Sequence, residues 1–197
     1  MRVYIGIDPG LHGAIGVVSE LGEYVVVFDT PTIALKTTGG KIKTRYDVDK
    51  MRGILFSDIA HNYDIQLVTI EEVAARPGQG VTSMFNFGFG YGLWTGLVVA
   101  LKCLRLLVYP QVWKAKMALL DTTKGEVLDE ARARWPSAPL TLQKHDGRAD
   151  ALFLAYYGWT QATPSPLTVA TRPGVDAVET KRSRFKQLLV GEVGTRV

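Results

Sequence analysis

The fold of this chain is decided by the stretch Val3-Tyr4-Ile5-Gly6-Ile7-Asp8-Pro9-Gly10. Its apolar half predicts a buried β-strand, and the Pro-Gly pair predicts a turn directly after Asp8. A carboxylate at the end of a buried strand is costly to desolvate, so it usually has a charged partner, a hydrogen bond or a metal ion. Taken alone, Asp8 is explained equally well as the residue that opens the turn. The choice between these roles depends on the rest of the chain.

Two more short runs rich in Val, Ile and Tyr follow, at Ala14 to Val18 and Tyr24 to Phe28, with Gly-containing turns before each. Together with the first strand they predict an antiparallel meander of three strands. Residues 30–43 contain Pro31, two glycines and three lysines without periodicity, which predicts a loop. The three lysines of this loop and the arginine that follows form a basic cluster: Lys36, Lys41, Lys43 and Arg45.

The second half of the chain alternates helical and strand patterns, which predicts parallel strands with helical crossovers. We predict strands at Gln66 to Ile70 and Leu104 to Tyr109. We predict helices from Asp47 to about Asn62, from Ser83 to Lys102, from Pro110, from Lys124 to Trp135 and from Asp146 to Gln161. The expected fold is an α/β protein with a five-stranded mixed sheet, strands 1–3 antiparallel and 4–5 parallel, with helices on both faces.

Composition places the chain among ordinary soluble proteins, with 47% apolar and 21% charged residues among 197. No apolar run of about 18 residues predicts a membrane span, and Cys103, the only cysteine, excludes an internal disulfide. Residues 1–171 hold 17 Lys and Arg against 16 Asp and Glu, whereas 172–197 hold six against three. We therefore expect one domain at 1–162, followed by a basic tail at 163–197 that is partly disordered.

Carboxylates recur where the predicted sheet and its last helix converge. Asp8 ends the first strand, Glu71 and Glu72 follow the fourth, and Asp146 and Asp150 open the last helix. Parallel neighbouring strands end at the same edge, and residues four apart share one helix face. Such like charges need a counter-ion, and Mg²⁺ or Mn²⁺ suits oxygen ligands. Two ions held there can activate water and stabilise the leaving oxygen in phosphodiester cleavage.

Several stretches resemble a known family. I-G-I-D-P-G at 5–10, T-I-E-E-V at 69–73 and R-A-D-A-L at 148–152 resemble the RuvC-type Holliday junction resolvases of the RNase H-like superfamily. F-G-F-G-Y-G-L-W at 87–94, W-K at 113–114 and H-D-G-R-A-D-A-L at 145–152 are similar to the branch with the plant chloroplast resolvase and its bacterial and phage relatives. The resemblance covers about residues 3–160, and the order and spacing of the motifs make it specific.

The resemblance implies a homodimer that cuts four-way DNA junctions by paired nicks, with two Mg²⁺ or Mn²⁺ ions per site and no small-molecule cofactor. Asp8 would hold both ions, Glu71 would be the second ligand and Asp150 would be the ligand from the last helix. Strand parity alone does not choose between Glu71 and Glu72, so Glu72 stays a possible auxiliary residue. Bacterial members of the family commonly carry an acid or a His at the position of Gly147. Asp146, one residue earlier, would then serve as the fourth ligand, as the His does in the chloroplast branch.

Candidate DNA contacts border this site. Cationic side chains could hold phosphates, and aromatic side chains could stack on an unpaired base. The basic cluster of the predicted loop is a further candidate, which would close over DNA. His145 is a possible auxiliary residue that orients a water or a phosphate, although a surface position explains it more simply. Likewise Phe85 and Phe89 are expected in the core. The candidate DNA contacts are Arg76, Gln79, Phe87, Tyr91, Lys114, Lys116, Lys144 and Arg148.

Gly88, Gly92 and Gly96 repeat at a spacing of four in the predicted helix and form a bare stripe on one face. Glycines within a helix cost about 1 kcal/mol each relative to Ala, which favours a packing role, either within the fold or across a dimer. Close approach of a nucleic-acid backbone is the alternative.

Three rival functions remain open. A different nuclease of the same fold, acting on RNA–DNA hybrids or flaps, would use the same carboxylates. An actin-like phosphotransferase also begins with a G-I-D-x-G strand but needs a second domain, for which 197 residues leave little room. A catalytically silent DNA-binding relative is disfavoured by the intact carboxylates. We expect a cytoplasmic protein of a bacterial or phage-infected cell, or of an organelle stroma if a transit peptide was removed.

Overall fold

The structure is a computed structural model that describes residues 1–36, 38–72, 74, 78 and 80–162. The predicted tail at 163–197 and the predicted DNA contacts Arg76 and Gln79 lie outside these residues. None of the described helices is both long and apolar enough to cross a bilayer.

The predicted meander and the two parallel strands form one sheet in the order β3-β2-β1-β6-β7. β1 pairs antiparallel with β2, and β2 with β3, whereas β6 runs parallel to β1 and β7 runs parallel to β6. This confirms the predicted strand directions. The strands of the sheet are β1 (Arg2–Ile7), β2 (Ala14–Ser19), β3 (Tyr24–Asp29), β6 (Asp64–Glu71) and β7 (Arg105–Val108).

Helices cover both faces of this sheet, as predicted. The first continues from α-helical into π-helical geometry at Ile54–Ala60, and a short 3₁₀ turn at Gln143–His145 precedes the last helix. The helices are α1 (Val48–Gly53), α2 (Val81–Ala100), α3 (Pro110–Lys116), α4 (Lys124–Arg134) and α5 (Asp146–Ala162).

Alternation along β1 supplies a core on each face of the sheet. Ile5 and Ile7 lie in the core that includes Met51 of α1 and Trp94 of α2. Tyr4 lies in the opposite core with residues of α4 and α5. The central strand is therefore buried on both faces, which explains its continuous apolar sequence.

Glycine lets α5 lie directly on the backbone of the sheet. A Cβ on Gly6 would be 2.1 Å from the carbonyl oxygen of Ala151, and one on Gly16 would be 2.7 Å from the carbonyl carbon of the same residue. Real Cβ atoms do not approach backbone atoms so closely. Because Ala151 follows Asp150, this close packing fixes the height at which that carboxylate sits above β1.

The prediction that residues 30–43 form a loop was wrong. β4 (Thr32–Lys36) and β5 (Ile42–Tyr46) pair antiparallel in a separate two-stranded sheet, which we call the ribbon. Apart from Tyr46 and the undescribed Thr37, its residues from Thr32 onwards are exposed. A strand without a buried face leaves no alternating pattern of apolar residues, so the periodicity of the sequence did not reveal it.

One alternative for the glycine stripe of α2, packing within the fold, was wrong, and so was the expected core position of two aromatic residues on this helix. A Cβ on Gly88, Gly92 or Gly96 would meet no atom within 4 Å, so within the described residues the glycine stripe packs against nothing in its own fold. Phe85 and Phe89 are 64% and 45% exposed, with their rings stacked 6.2 Å apart, rather than in the core. This face of α2 is apolar and open.

Candidate active site

Asp8 ends β1 in a turn built from backbone hydrogen bonds. The N–H of Asp8 donates to the carbonyl oxygen of Ala14 at 3.0 Å, and the N–H of Gly10 donates to Asp8 Oδ1 at 3.0 Å. A Cβ on Gly13 would be 2.8 Å from Asp8 Cγ, so the loop that follows lies against the carboxylate. Asp8 is thus both the turn-forming residue and a positioned acid.

Glu71 reaches the same edge from the neighbouring strand. Ile7 of β1 is in register with Ile70 of β6, so the next residue of each parallel strand is a carboxylate. Trp113 of α3 donates its Nε1–H to Glu71 Oε1 at 3.0 Å, which holds that side chain from the side of β7. The two acids lie within electrostatic range, and the charge of Glu71 contributes to a raised pKa of Asp8.

Glu72 lies near two tyrosines, Tyr91 and Tyr109. A hydrogen bond with Glu72 raises the pKa of Tyr109, and burial together with the charge of Glu72 raises that of Tyr91. Glu71 is therefore the acid beside Asp8, while Glu72 lies beside the two tyrosines. The structure thus distinguishes Glu71 from Glu72, which strand parity alone could not do.

The first two turns of α5 supply Asp146 and Asp150. A Cβ on Gly147 would be 2.3 Å from the carbonyl oxygen of His12, so only a glycine lets this turn meet the loop after Asp8. An acid or a His in its place would collide with that backbone. The departure from the family pattern at this position thus has a steric reason, and the neighbouring Asp146 supplies the carboxylate.

Burial and mutual repulsion make both central acids weak. Desolvation, then the charge of Glu71, raise the pKa of Asp8 to about 7, with smaller contributions from Asp150 and Asp146. Desolvation likewise raises the pKa of Asp150 to about 6, although the charge of Lys114 opposes it. An added cation would relieve this repulsion.

Lys124 is the residue that sequence reasoning missed. It is the first residue of α4, after the Thr123 cap, and its Nζ forms an ion pair with Asp146 Oδ2. The pKa of Lys124 is raised mainly by the hydrogen bond to Asp146, and the charges of Asp150 and Asp8 add to it. Twenty-two residues separate the pair, so no spacing rule could have found it.

The predicted DNA contact Arg148 and the possible auxiliary residue His145 both have protein partners. Arg148 Nε and Nη2 donate to the two carboxylate oxygens of Asp29 at 2.5 and 2.7 Å, and Nη1 donates to the carbonyl oxygen of Pro139. The expected surface position of His145 was wrong, because the residue is only 7% exposed and its Nδ1 accepts the N–H of Leu142 at 3.3 Å. It closes the turn before α5.

Other candidates lie along the rim. Lys114 is half-buried and within electrostatic range of Asp150, while Lys116 and Lys144 are exposed. Phe87 is half-buried and faces the turn after Asp8, because a Cβ on Gly10 would lie 3.6 Å from its Cε2. Their roles in binding DNA stay predictions.

The donor chemistry of the site fits a hard divalent cation. Asp8, Glu71, Asp146 and Asp150 offer only carboxylate oxygens, the ligands that Mg²⁺ and Mn²⁺ prefer. Burial and then the neighbouring acidic charges raise the pKa of Asp8 and of Asp150, and a cation would relieve the repulsion between these charges. Within the described ranges, no group of three or more His, Cys, Asp and Glu side chains is placed to hold a metal ion. Asp146 is paired with Lys124, so its carboxylate would have to leave or share that partner.

Comparison with solved structures identifies the fold. The chain is similar to Thermus thermophilus RuvC in complex with a Holliday junction substrate, with a TM-score of 0.52 at 20% identity over 80% of this chain and 92% of that one. The chain has the RuvC fold. A second Thermus thermophilus RuvC structure matches at a TM-score of 0.44 and 18% identity, covering 79% of this chain and 92% of that one. No protein-family model and no curated protein sequence matches the chain.

The RuvC fold confirms the RNase H-like architecture that the motifs predicted. In this fold, three segments that are distant in the sequence come together at the edge where β1 and β6 end. β1 contributes Asp8, β6 contributes Glu71, and α5 contributes Asp146 and Asp150. At this level of identity the likeness is one of fold, and the chemistry has to be argued from the side chains.

Proposed function

We propose that this protein is a metal-dependent endonuclease that resolves four-way DNA junctions by paired nicks. The observation that carries the proposal is the acidic edge, where Asp8 and Asp150 have raised pKa values beside Glu71 and Asp146. Buried like charges with no function would only lower the stability of the fold. The RuvC fold and the junction bound to the similar Thermus protein support the choice of substrate.

Asp8, Glu71, Asp150 and Asp146 would hold the divalent cations. Two cations bound there would supply the charge that activates water and stabilises the leaving oxygen of the scissile phosphate. Trp113 keeps Glu71 in place through its indole N–H. The cationic side chains at the rim, Lys114 and Lys124, are placed to attract the DNA phosphates towards the acids.

Purified protein should be incubated with a synthetic four-way junction, a linear duplex, a flap and an RNA–DNA hybrid, each in Mg²⁺ and in Mn²⁺. We expect symmetric nicks in the junction alone. Cleavage of the hybrid or the flap in preference to the junction would favour another nuclease of this fold. No cleavage of any substrate would contradict the proposal.

Lys124→Gln should lower the Mg²⁺ concentration that gives half-maximal cleavage, by about two- to five-fold, while reducing the maximal rate. The ion pair with Asp146 competes with the metal for that carboxylate, and loss of the cation also weakens attraction of the phosphate. Titration of cleavage rate against Mg²⁺ measures both effects. Lys102→Gln, at an exposed lysine just before β7 that has no described ion pair, should change neither by more than two-fold. A higher Mg²⁺ requirement for Lys124→Gln would contradict this role.

We also propose that the open face of α2 is the homodimer contact. It presents Phe85 and Phe89 beside the bare stripe of Gly88, Gly92 and Gly96, which allows close approach of a second helix. Gly92→Leu should therefore yield a monomer in light-scattering measurements. Gly53→Leu makes the same change at another open helical position and should leave the dimer intact. A dimeric Gly92→Leu protein would exclude this contact.

We place the nuclease domain at 1–162 and assign the tail at 163–197 to salt-sensitive, sequence-independent DNA affinity, because residues 172–197 carry six basic against three acidic side chains. Removal of the tail should weaken binding without abolishing cleavage.

A further inference from the structure

The ribbon concentrates positive charge more strongly than any other part of the domain. Residues 30–46 contain four cations and no acid, whereas the rest of residues 1–171 holds 13 Lys and Arg against 16 Asp and Glu. The ribbon is therefore positively charged, whereas the rest of residues 1–171 has a small net negative charge. Among the described residues, no hydrogen bond or ion pair holds the side chains of its cations, which are Lys36, Lys41, Lys43 and Arg45.

The register of the ribbon sorts its side chains onto two faces. Ile33 is opposite Arg45, and Leu35 is opposite Lys43, so these four share one face. That face pairs aliphatic side chains on β4 with cations on β5. A two-stranded ribbon fits the major groove of duplex DNA, where cations bind phosphates and aliphatic groups contact bases.

Tyr46 joins the base of the ribbon to the active-site turn. Its hydroxyl donates to the carbonyl oxygen of Pro9 at 3.1 Å or to that of Asn86 at 3.2 Å. The strand before the ribbon is tied to the same edge, because the N–H of Thr30 donates to the carbonyl oxygen of Gly13 at 2.8 Å. A Cβ on Gly90 would be 2.1 Å from the Tyr46 oxygen, so α2 also closes on this anchor. The ribbon therefore leaves the domain at the acidic edge.

Lysines on exposed strands also have a simpler use, since charge on an edge strand prevents pairing with other chains. That use explains the lysines on the strand edges but does not call for aliphatic side chains aligned with cations on one face. A segment with four cations, no acids and an aliphatic row on the same face matches a polyanion better.

We propose that the β4–β5 ribbon is a second DNA-binding element, which grips the duplex arm of the junction next to the active site. This deepens the proposed function and rests on it for the identity of the substrate. The ribbon contacts phosphates with Lys41, Lys43 and Arg45, and its attachment through Tyr46 sets the position of the arm relative to Asp8.

Binding to a labelled four-way junction and to a labelled linear duplex tests the proposal, with the full chain in EDTA at several salt concentrations. The triple variant Lys41→Gln/Lys43→Gln/Arg45→Gln should bind both at least tenfold more weakly near 0.1 M salt, and the slope of log K against log[salt] should fall by about two to three. The triple Lys41→Arg/Lys43→Arg/Arg45→Lys keeps the charge and should bind like wild type. Thermal melts establish that each variant is folded.

The matched control is Arg2→Gln/Lys102→Gln/Arg105→Gln, which removes the same charge from exposed positions at the opposite edge of the sheet. Equal weakening by both glutamine triples, or none, would overturn the proposal. If the ribbon triple aggregates but keeps its DNA affinity, the lysines protect the strand edges instead. Loss of binding to a labelled RNA duplex alone, with DNA binding unchanged, would also overturn the proposal. Junction cleavage by wild type tests the proposed function separately, so a cleaving enzyme with an inert ribbon would refute only this inference.

Discussion

Asp8→Asn should abolish cleavage and, at pH 8 in EDTA, should melt at a higher temperature than wild type. Asparagine keeps the acceptor for the N–H of Gly10 but removes a buried charge that repels Glu71. We expect a gain on the order of 2 kcal/mol, or about 4–8 °C in Tm. An acid that only formed the turn, with an unshifted pKa, would give no such gain.

The sign of the pH dependence follows from the raised pKa. With its pKa raised to about 7, Asp8 keeps its proton in the folded state up to about pH 7, whereas the unfolded chain releases it near the ordinary pKa of 3.8. The repulsive contribution of Asp8 is therefore absent in acid and develops fully as the pH rises from about 4 to 7. The Tm difference between wild type and Asp8→Asn should vanish near pH 4.

Asp64→Asn is the control, because this exposed acid lies at the start of β6, at the opposite edge of the sheet. Its Tm should follow that of wild type at both pH values. Mg²⁺ added at pH 8 should stabilise wild type more than Asp8→Asn, since a ligand that binds the folded state stabilises it. A less stable Asp8→Asn protein in EDTA would contradict this electrostatic interpretation of the site.

Gly6→Ala should destabilise the protein by about 3 kcal/mol or more and remove activity as well. Its Cβ would lie 2.1 Å from the carbonyl oxygen of Ala151 and 2.2 Å from the backbone nitrogen of Ala155. The backbone of α5 has to move away from β1, which costs packing and shifts Asp150 relative to Asp8. Chemical denaturation gives the free energy of unfolding, and we expect a Tm lower by about 6–12 °C.

Gly53→Ala is the matched control, since its Cβ would meet no atom within 4 Å. In this helical position alanine should be neutral or more stable by about 0.5–1 kcal/mol. If Gly6→Ala were as stable as Gly53→Ala, α5 would not rest on the backbone of β1 as the structure has it.

Much of the sheet could be predicted because its strands are buried. β1, β2 and β6 carry nearly continuous apolar runs bounded by turn residues. A short turn makes β2 antiparallel to β1, and the helical crossover before β6 makes that strand parallel to β1. The three segments that carry the acids could be predicted for the same reason. A carboxylate that directly follows a buried strand is visible in the sequence.

Features formed by exposed or distant residues could not be predicted in this way. Among the described residues of the ribbon only Tyr46 is buried, so its strands resemble a polar loop in the sequence. The partner of Lys124 is brought close only by folding, and His145 is buried by a turn that its neighbours build. Phe85 and Phe89 have the spacing of a core face, but they are 64% and 45% exposed in the folded chain.

The most direct test of a junction-resolving nuclease is the product formed from a supercoiled plasmid that extrudes a cruciform. Paired nicks across the junction convert the plasmid to a linear form, whereas unpaired nicks leave an open circle. With Mg²⁺ we predict linear plasmid from wild type and uncut plasmid from Asp8→Asn. Open circles alone, or an uncut plasmid with wild type, would contradict resolution of the junction by this protein.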